Sequence, residues 1–445
     1  MLSERESKAL AERALVLSKA EHTEVGVFTE DSSLTRFADN EIHQNVAQRD
    51  ATLSVRASLG KRYGVGTTND LSPAGLEGAV DQALAIARSM PDTEDFLPPA
   101  APQPISAADG YSIATAEFGP LQRSAGVRVI CETARDRGLT AAGVFKVDIG
   151  GVTIANSQGL YAYHQSTSAE LMAVAMSEDS SGHAGQMTVN AEHIDAETVA
   201  EEAVGKAEQG RSPRAVEPGT YEVVLEEYAV SDMLDFLAYL GFGALAVQEG
   251  RSFMSGKMGE QVMGANVSIW DDGLDPTGLV NPFDYEGFPR QRVDLIADGV
   301  ATSPVHDRRT AAKDGVASTG HALPAGSVIG PIPANMFLKP GESTRAELIA
   351  AVDRGILITR FWYTRVVHPL TVHMTGMTRD GAFLIEKGEV VGPVKNLRFT
   401  ESYLDALKHV DLIGRDTKLV REFFAANRVP ALKIGQWRFT GATDY

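Results

Sequence analysis

The chain is expected to fold as an α+β protein, with an N-terminal α/β part (a mixed sheet and flanking helices) and a C-terminal β-rich domain. Two observations point there. The first half alternates stretches of helical periodicity with runs of period-two alternation, whereas the second half is dense in short strand-like runs punctuated by Asp-Gly and Lys-Gly turns. A length of 445 residues also leaves room for about three domains at roughly 150 residues each.

The elements follow in order. Between residues 3 and 20 the apolar Leu10, Ala14, Leu15 and Leu17 recur at near-helical spacing. Strands are expected at 24–28, 34–37, 42–46 and 52–59, and His43, alternating with Phe37 and Ile42, reads as a half-buried sheet residue. Gly60-Lys61-Arg62 turns the chain into a strand at 63–67. Ser72-Pro73 then supplies an N-cap and a first-turn proline for a helix running to about Ser89. This first unit covers 1–96. Residues 97–105 carry four prolines and read as an extended, semi-rigid linker outside any core. A helix at 117–138, strands at 144–149, 152–156, 160–164 and 169–176, and a helix at 196–209 make a second α/β unit, 106–209, sharing the first unit's sheet. Residues 36–44 and 154–165 each combine a strand, a polar turn and a His-Gln strand, which suggests an internal duplication. A second linker, 210–219, opens the β-rich domain, 220–445. Expected there are a strand at 220–225, a helix at 229–247, strands at 262–270 and 292–296, and a hairpin around Lys387-Gly388-Glu389.

Composition narrows the function. Lys and Arg number 41 against 59 Asp and Glu, a net charge of −18. A surface that acidic repels phosphate backbones and anionic membranes, so neither nucleic acid nor a membrane is the expected partner. Cys131 is the single cysteine, which rules out an intramolecular disulfide and any cysteine-cluster metal site. Residues 1–8 alternate in charge without the apolar run of a signal peptide, and the longest uncharged apolar run, 236–247, is shorter than the ~20 residues that span a bilayer. A cytoplasmic location is the expectation.

Familiar catalytic motifs are missing: there is no phosphate loop, no G-x-S-x-G elbow and no H-E-x-x-H, and no histidine lies between His193 and His306. His368 and His373 are five apart, which places them on opposite faces of a regular strand; joining them on a metal would take an irregular turn and further ligands. His321, in Ser318-Thr-Gly-His321, reads as a loop residue that could line a cleft. Glu249 and Arg251 follow an apolar helix, where a glycine and a basic residue also make an ordinary stop. In Arg360-Phe-Trp-Tyr363, alternate aromatics would either stack a peptide or fill a core, and Arg379 sits in a turn sequence. The candidate substrate-binding set is therefore Glu249, Arg251, Phe361, Tyr363, His368, His373 and Arg379, with no catalytic residue and no metal ligand assigned.

Seven segments run in order along the chain: Thr35-Arg-Phe-Ala-Asp-Asn-Glu-Ile-His-Gln-Asn45, Val152-Thr-Ile-Ala-Asn-Ser-Gln-Gly159, Ser252-Phe-Met-Ser-Gly-Lys-Met-Gly-Glu260, Trp270-Asp-Asp-Gly273, Phe283-Asp-Tyr-Glu-Gly287, Ser318-Thr-Gly-His321 and Ala382-Phe-Leu-Ile-Glu-Lys-Gly-Glu-Val-Val-Gly-Pro-Val394. Together they resemble the TldD/TldE (PmbA) family. The resemblance implies a metallopeptidase family whose TldD-like members bind zinc through H-E-x-x-x-H on the helix before the S-x-F-S-G segment. In this chain the corresponding stretch, 236–247, has no histidine, glutamate or cysteine. The resemblance therefore points to the TldE-like branch: a zinc-free, non-catalytic subunit that pairs with a zinc-bearing TldD-like paralogue and acts on unfolded peptides. An extended peptide could join a sheet edge by backbone hydrogen bonds alone. Two alternatives remain open: a homodimeric peptide-binding or scaffold protein, and an independent hydrolase built around His368, His373 and Arg379.

Overall fold

A computed structural model describes residues 1–443. The first half contains α1 (Glu4–Leu17), β1 (His22–Ala38), β2 (Glu41–Leu59), β3 (Arg62–Thr68), α2 (Pro73–Ser89), α3 (Ile113–Ala116), α4 (Pro120–Asp136), β4 (Thr140–Asn156), β5 (Tyr161–Met176), β6 (Ser181–Thr188) and α5 (Ala196–Gln209). Its six strands form one sheet in the order β3-β2-β1-β4-β5-β6. Every neighbouring pair is antiparallel, where a mixed sheet was expected; the parallel element is a lone bridge between Gly110 and Ser166. Short connections make β1–β2, β2–β3, β4–β5 and β5–β6 antiparallel, and β1 and β4, far apart in the chain, also meet antiparallel.

The architecture repeats. A helix, two long strands, a short strand and a second helix (α1 to α2) recur in the same order from α4 to α5, and β1 pairs with β4 at the centre of the sheet. The two residue stretches that suggested a duplication fall at equivalent places, each spanning the turn between the two long strands of its half. In the first, Asp39 and Asn40 both take left-handed φ (54° and 60°), the requirement of a two-residue hairpin turn that asparagine and aspartate meet at low cost.

The expected short strands merge into longer ones. Residues 24–28 and 34–37 are one strand, as are 42–46 with 52–59, because the polar runs between them face solvent and still pair with their neighbours. His43 is exposed rather than half-buried: β3 pairs with β2 only from Leu53 onward, so the outer part of β2 overhangs. The four long helices pack on this sheet over two apolar cores, one around Leu53, Leu76 and Val80, the other around Val127, Ile130 and Leu171. The proline-rich segment is irregular, but it is not outside the core. Ala100 is buried with Ile154, Leu160 and Phe283, and its carbonyl accepts Asn156 Nδ2 at 2.8 Å.

The second half contains β7 (Thr220–Leu225), α6 (Glu227–Leu240), α7 (Ala244–Gln248), β8 (Ile269–Asp271), β9 (Val293–Ala297), β10 (Val300–Ala301), α8 (Arg308–Asp314), β11 (Asn335–Leu338), α9 (Arg345–Ala350), β12 (Arg354–His368), β13 (His373–Glu386), β14 (Glu389–Pro393), β15 (Leu397–Ser402), α10 (Tyr403–Lys408), β16 (Val410–Arg421) and β17 (Ala426–Ala442). The path β17-β15-β13-β12-β7 returns to β17, so these strands form a closed ring of mixed pairing around the largest core of the molecule. An aromatic cluster of Phe361, Phe399, Tyr403 and Trp437 fills part of that core.

The single helix expected at 229–247 is two. At Gly243 an added Cβ would lie 2.1 Å from the Pro331 carbonyl oxygen, and at Gly241 it would lie 2.1 Å from the Phe253 ring. Neighbouring segments press so closely there that the helix axis cannot run on. The expected strand at 262–270 shrinks to β8. Among the described residues, no helix is long and apolar enough to cross a membrane.

Candidate functional site

A cleft of about 700 Å³ opens where α6 meets the far edge of the first sheet. On α6, residues 232, 235, 236 and 239 fall at helical i, i+3, i+4 and i+7 positions and so share one face. Asp232 accepts a 2.6 Å hydrogen bond from the Tyr403 hydroxyl. Asp235, 4% exposed, accepts the backbone N–H groups of Phe424 and Ala425, each at 2.9 Å, and so holds the turn between β16 and β17. Tyr239 stacks on Phe424 with ring centroids 4.3 Å apart.

Glu422, on the same turn, is the third carboxylate of the group. Burial pushes the Asp232 carboxyl up to about 7 and that of Asp235 to about 6, against the pull of their hydrogen bonds. Glu422 is also raised well above the usual carboxylate range, first by burial and then by the charges of Asp232 and Asp235. Near neutral pH the three together therefore carry less than full negative charge.

The opposite wall comes from the first sheet. Burial, then the cations Arg360, Lys206 and Lys418, keep the His183 imidazole neutral, and it packs edge-on against Tyr228. The rim is aromatic and cationic. Trp362 and Tyr363 are 43% and 66% exposed, with Phe423 at 88%. Arg360 and Arg379 both lie over the Trp362 ring, and Arg365 lies over Tyr363 at 4.3 Å. Tyr363 has φ of +58°, a costly conformation for a bulky residue, at a break in the register between β12 and β13. That irregularity turns two successive aromatic side chains outward.

The candidate residues named from the sequence do not gather here as a set. Tyr363 lines the rim; Phe361 is 5% exposed and belongs to the aromatic core beneath. Arg379 reaches the rim through Trp362 but opens onto a neighbouring cleft with Asp380. Glu249 and Arg251 form an exposed ion pair with each other after α7, away from the cleft lining. His368 and His373 are not on opposite faces of one strand. A 3₁₀ turn, Pro369–Thr371, folds the chain back so that they face each other across β12 and β13, both within hydrogen-bond reach of Thr371 Oγ1 at 3.1 and 3.0 Å. Sequence reasoning missed Asp232, Asp235 and Glu422. Two aspartates three apart on an otherwise apolar helix were a usable signal for the first two.

The donor chemistry of this face does not suit zinc. Asp232 is engaged by the Tyr403 hydroxyl, and Asp235 Oδ1 already accepts two backbone N–H groups. Among the described residues no three His, Cys, Asp or Glu side chains are placed to hold a metal ion.

A second buried polar group joins three of the motif segments. His321 is fully buried, not a loop residue lining a cleft: its Nε2 lies 2.7 Å from Asp271 Oδ1 and its Nδ1 2.9 Å from Thr319 Oγ1. Asp271 Oδ2 accepts the N–H groups of Ala334 and Asn335, while Asp284 accepts those of Glu286, Phe288 and Ala322. Burial, and then the nearby Asp284 charge, raise the Glu286 carboxyl to about 8. With no exposure at Asp271 or His321, the network pins the loops 270–290 and 318–335 instead of presenting a nucleophile.

Three stretches of the sequence match domains of one family: 23–87 the PmbA/TldA metallopeptidase domain 1, 126–211 its central domain, and 218–441 its C-terminal domain. Metalloprotease PmbA of Escherichia coli O157:H7 is 25% identical over 450 aligned positions, covering 94% of this chain and 92% of that protein. A metalloprotease of Methanothermobacter thermautotrophicus is 32% identical over 187 residues, 40% of each chain, so less than half of that relative's length is matched. The crystal structure of TldE from Thermococcus kodakarensis superposes with a TM-score of 0.88 over 98% of this chain and 99% of its own, at 19% identity, a likeness of fold.

Proposed function

Since the chain belongs to the PmbA/TldD metallopeptidase family, we propose that it is the zinc-free, TldE-like subunit of an intracellular, cytoplasmic protease that processes unfolded peptides, and that it is itself non-catalytic. One observation carries the reading: the stretch 236–247, which answers to the zinc-motif helix, holds no histidine, glutamate or cysteine to serve as ligand or general base, and the adjoining face of α6 presents Asp232, Asp235 and Phe236 to the cleft. The partner is a TldD-like paralogue that brings the zinc.

The rim supports a docking role. Trp362, Tyr363, Val366 and Phe423 leave apolar surface exposed around the cleft, and Val367 and Leu370 extend it along the β12–β13 hairpin. The stacked arginines would add cationic recognition of a peptide or partner. A second reading, a homodimeric peptide-binding or scaffold protein, uses the same rim against a second copy of this chain.

Elemental analysis and co-purification separate the readings. The purified chain should carry close to no zinc, and a tagged chain expressed in its own host should retain an H-E-x-x-x-H-bearing paralogue. About one tightly held zinc per chain would overturn the zinc-free assignment. A self-dimer with no such paralogue would favour the scaffold.

A further inference from the structure

A different cleft, of about 750 Å³, lies between the first sheet and the β-rich domain. That volume is within the range of small-ligand sites. One wall is the sheet, with Phe28, Glu30, Asp50 and Gly151; the other is built from loops of the second half and carries Arg290. Arg290 is unusual. Its side chain is 4% exposed, and neither Nε nor Nη1 has a hydrogen-bond partner. Two carboxylates supply charge without a hydrogen bond: Asp271 stands 3.9 Å from Nη1 through an oxygen already taken by His321, and the Arg290 charge also acts on the buried Asp284. A guanidinium taken out of water is normally paired and hydrogen-bonded, and Arg290 borders the cleft. Gly273 makes the passage: an added Cβ there would lie 2.5 Å from Arg290 Cδ.

The rest of the lining selects the ligand. Arg421 is engaged by Asp148 and Ser168, and His164, kept neutral by burial, bonds the Val280 carbonyl oxygen at 3.0 Å. That leaves Arg290 for an anion and the carboxylates Glu30 and Asp50 on the sheet wall, which repel polyanions and attract a cation. We propose that this cleft binds a small zwitterion, its carboxylate against Arg290 and its ammonium toward Glu30 and Asp50. The C-terminal end of a short peptide and a free amino acid share this chemistry, and the cleft's size favours the peptide. The proposal goes beyond the subunit reading and does not rest on it, because binding is read on this chain without any partner.

Calorimetric titration of the full chain tests it, using trialanine, its C-terminal amide, its N-acetyl form and free alanine. Trialanine should bind, with the amide and the N-acetyl form each at least tenfold weaker. Arg290→Gln should remove the preference for acid over amide, and Arg290→Lys should recover part of it. Alanine weaker than trialanine marks a peptide end as the source, and alanine of equal affinity marks a free amino acid; both keep the carboxylate at Arg290. Equal binding of acid and amide, or no binding of either trialanine or alanine, overturns the proposal. The acid–amide comparison on the unaltered chain decides the matter even if both variants misfold. A folded Arg290→Gln protein that keeps the preference also overturns it.

Discussion

The carboxylates of the α6 cleft are one route by which pH reaches this protein. An unfolded aspartate titrates near 3.8, whereas Asp232 and Asp235 titrate at about 7 and about 6 when folded. At these two groups the folded state holds more protons, and their contribution to stability falls as pH rises from about 4 to 7. Urea unfolding at pH 4.5 and pH 7.5 should show this loss. Asp232→Asn should flatten it by an amount on the order of a few kcal/mol, since each tenfold change in proton affinity is worth ~1.4 kcal/mol. Asp235→Ala should behave differently. It strands the N–H groups of Phe424 and Ala425, so it should cost about 1–3 kcal/mol and speed amide exchange in the β16–β17 turn. At this scale the sequence was partly legible. The alternation in 360–363 left the aromatics open between core and ligand, and the structure divides them: Phe361 is inside, Tyr363 outside. Arg290 carried no sequence signal, since its isolation arises from a neighbour at residue 271 whose acceptors are used elsewhere.

Among the elements, what could be read followed from periodicity, and what could not followed from contact. Helices α2 and α5 lie close to their expected positions because caps and an apolar face specify them locally. The break between α6 and α7 depends on Pro331, distant in sequence from Gly243, and on Phe253, which returns from the loop after α7 to crowd Gly241. Antiparallel pairing of the whole first sheet and the overhang of β2 likewise depend on which strands become neighbours. Two glycine substitutions separate the local from the tertiary effect. Gly78, inside α2 with open space around its Cβ position, should accept alanine with a gain of about 0.5–1 kcal/mol. Gly243→Ala should instead lower the melting temperature by several degrees, because its Cβ would meet a backbone carbonyl that cannot swing away. Thermal unfolding of both proteins checks the pair.

For the whole molecule, the two halves are joined by charge as well as by apolar packing. Lys206 of α5 bonds Glu202 and Glu226 at 2.8 and 2.6 Å, Lys418 of β16 bonds Glu202 at 2.6 Å, and Arg345 bonds Glu226 at 2.6 Å. Burial acts to raise the Glu202 carboxyl, but Lys206 and Lys418 outweigh it and hold it at about 2. Glu226, 3% exposed, is the hinge of this network. Glu226→Gln takes one carboxylate from Lys206 and Arg345, which keep Glu202 and Glu227, and should cost about 1–3 kcal/mol in urea unfolding. The α+β division and the family were legible in ordered motifs along the sequence. The two clefts were not, because each forms only where one half meets the other. In the proposed role this chain completes a peptidase without performing the chemistry. The direct measurement is cleavage of an unfolded peptide by the purified chain alone and after mixing with the H-E-x-x-x-H-bearing paralogue, each with and without a zinc chelator. No cleavage alone and chelator-sensitive cleavage on mixing, beyond what the paralogue achieves by itself, is the expected result. Chelator-sensitive cleavage by this chain alone would contradict it.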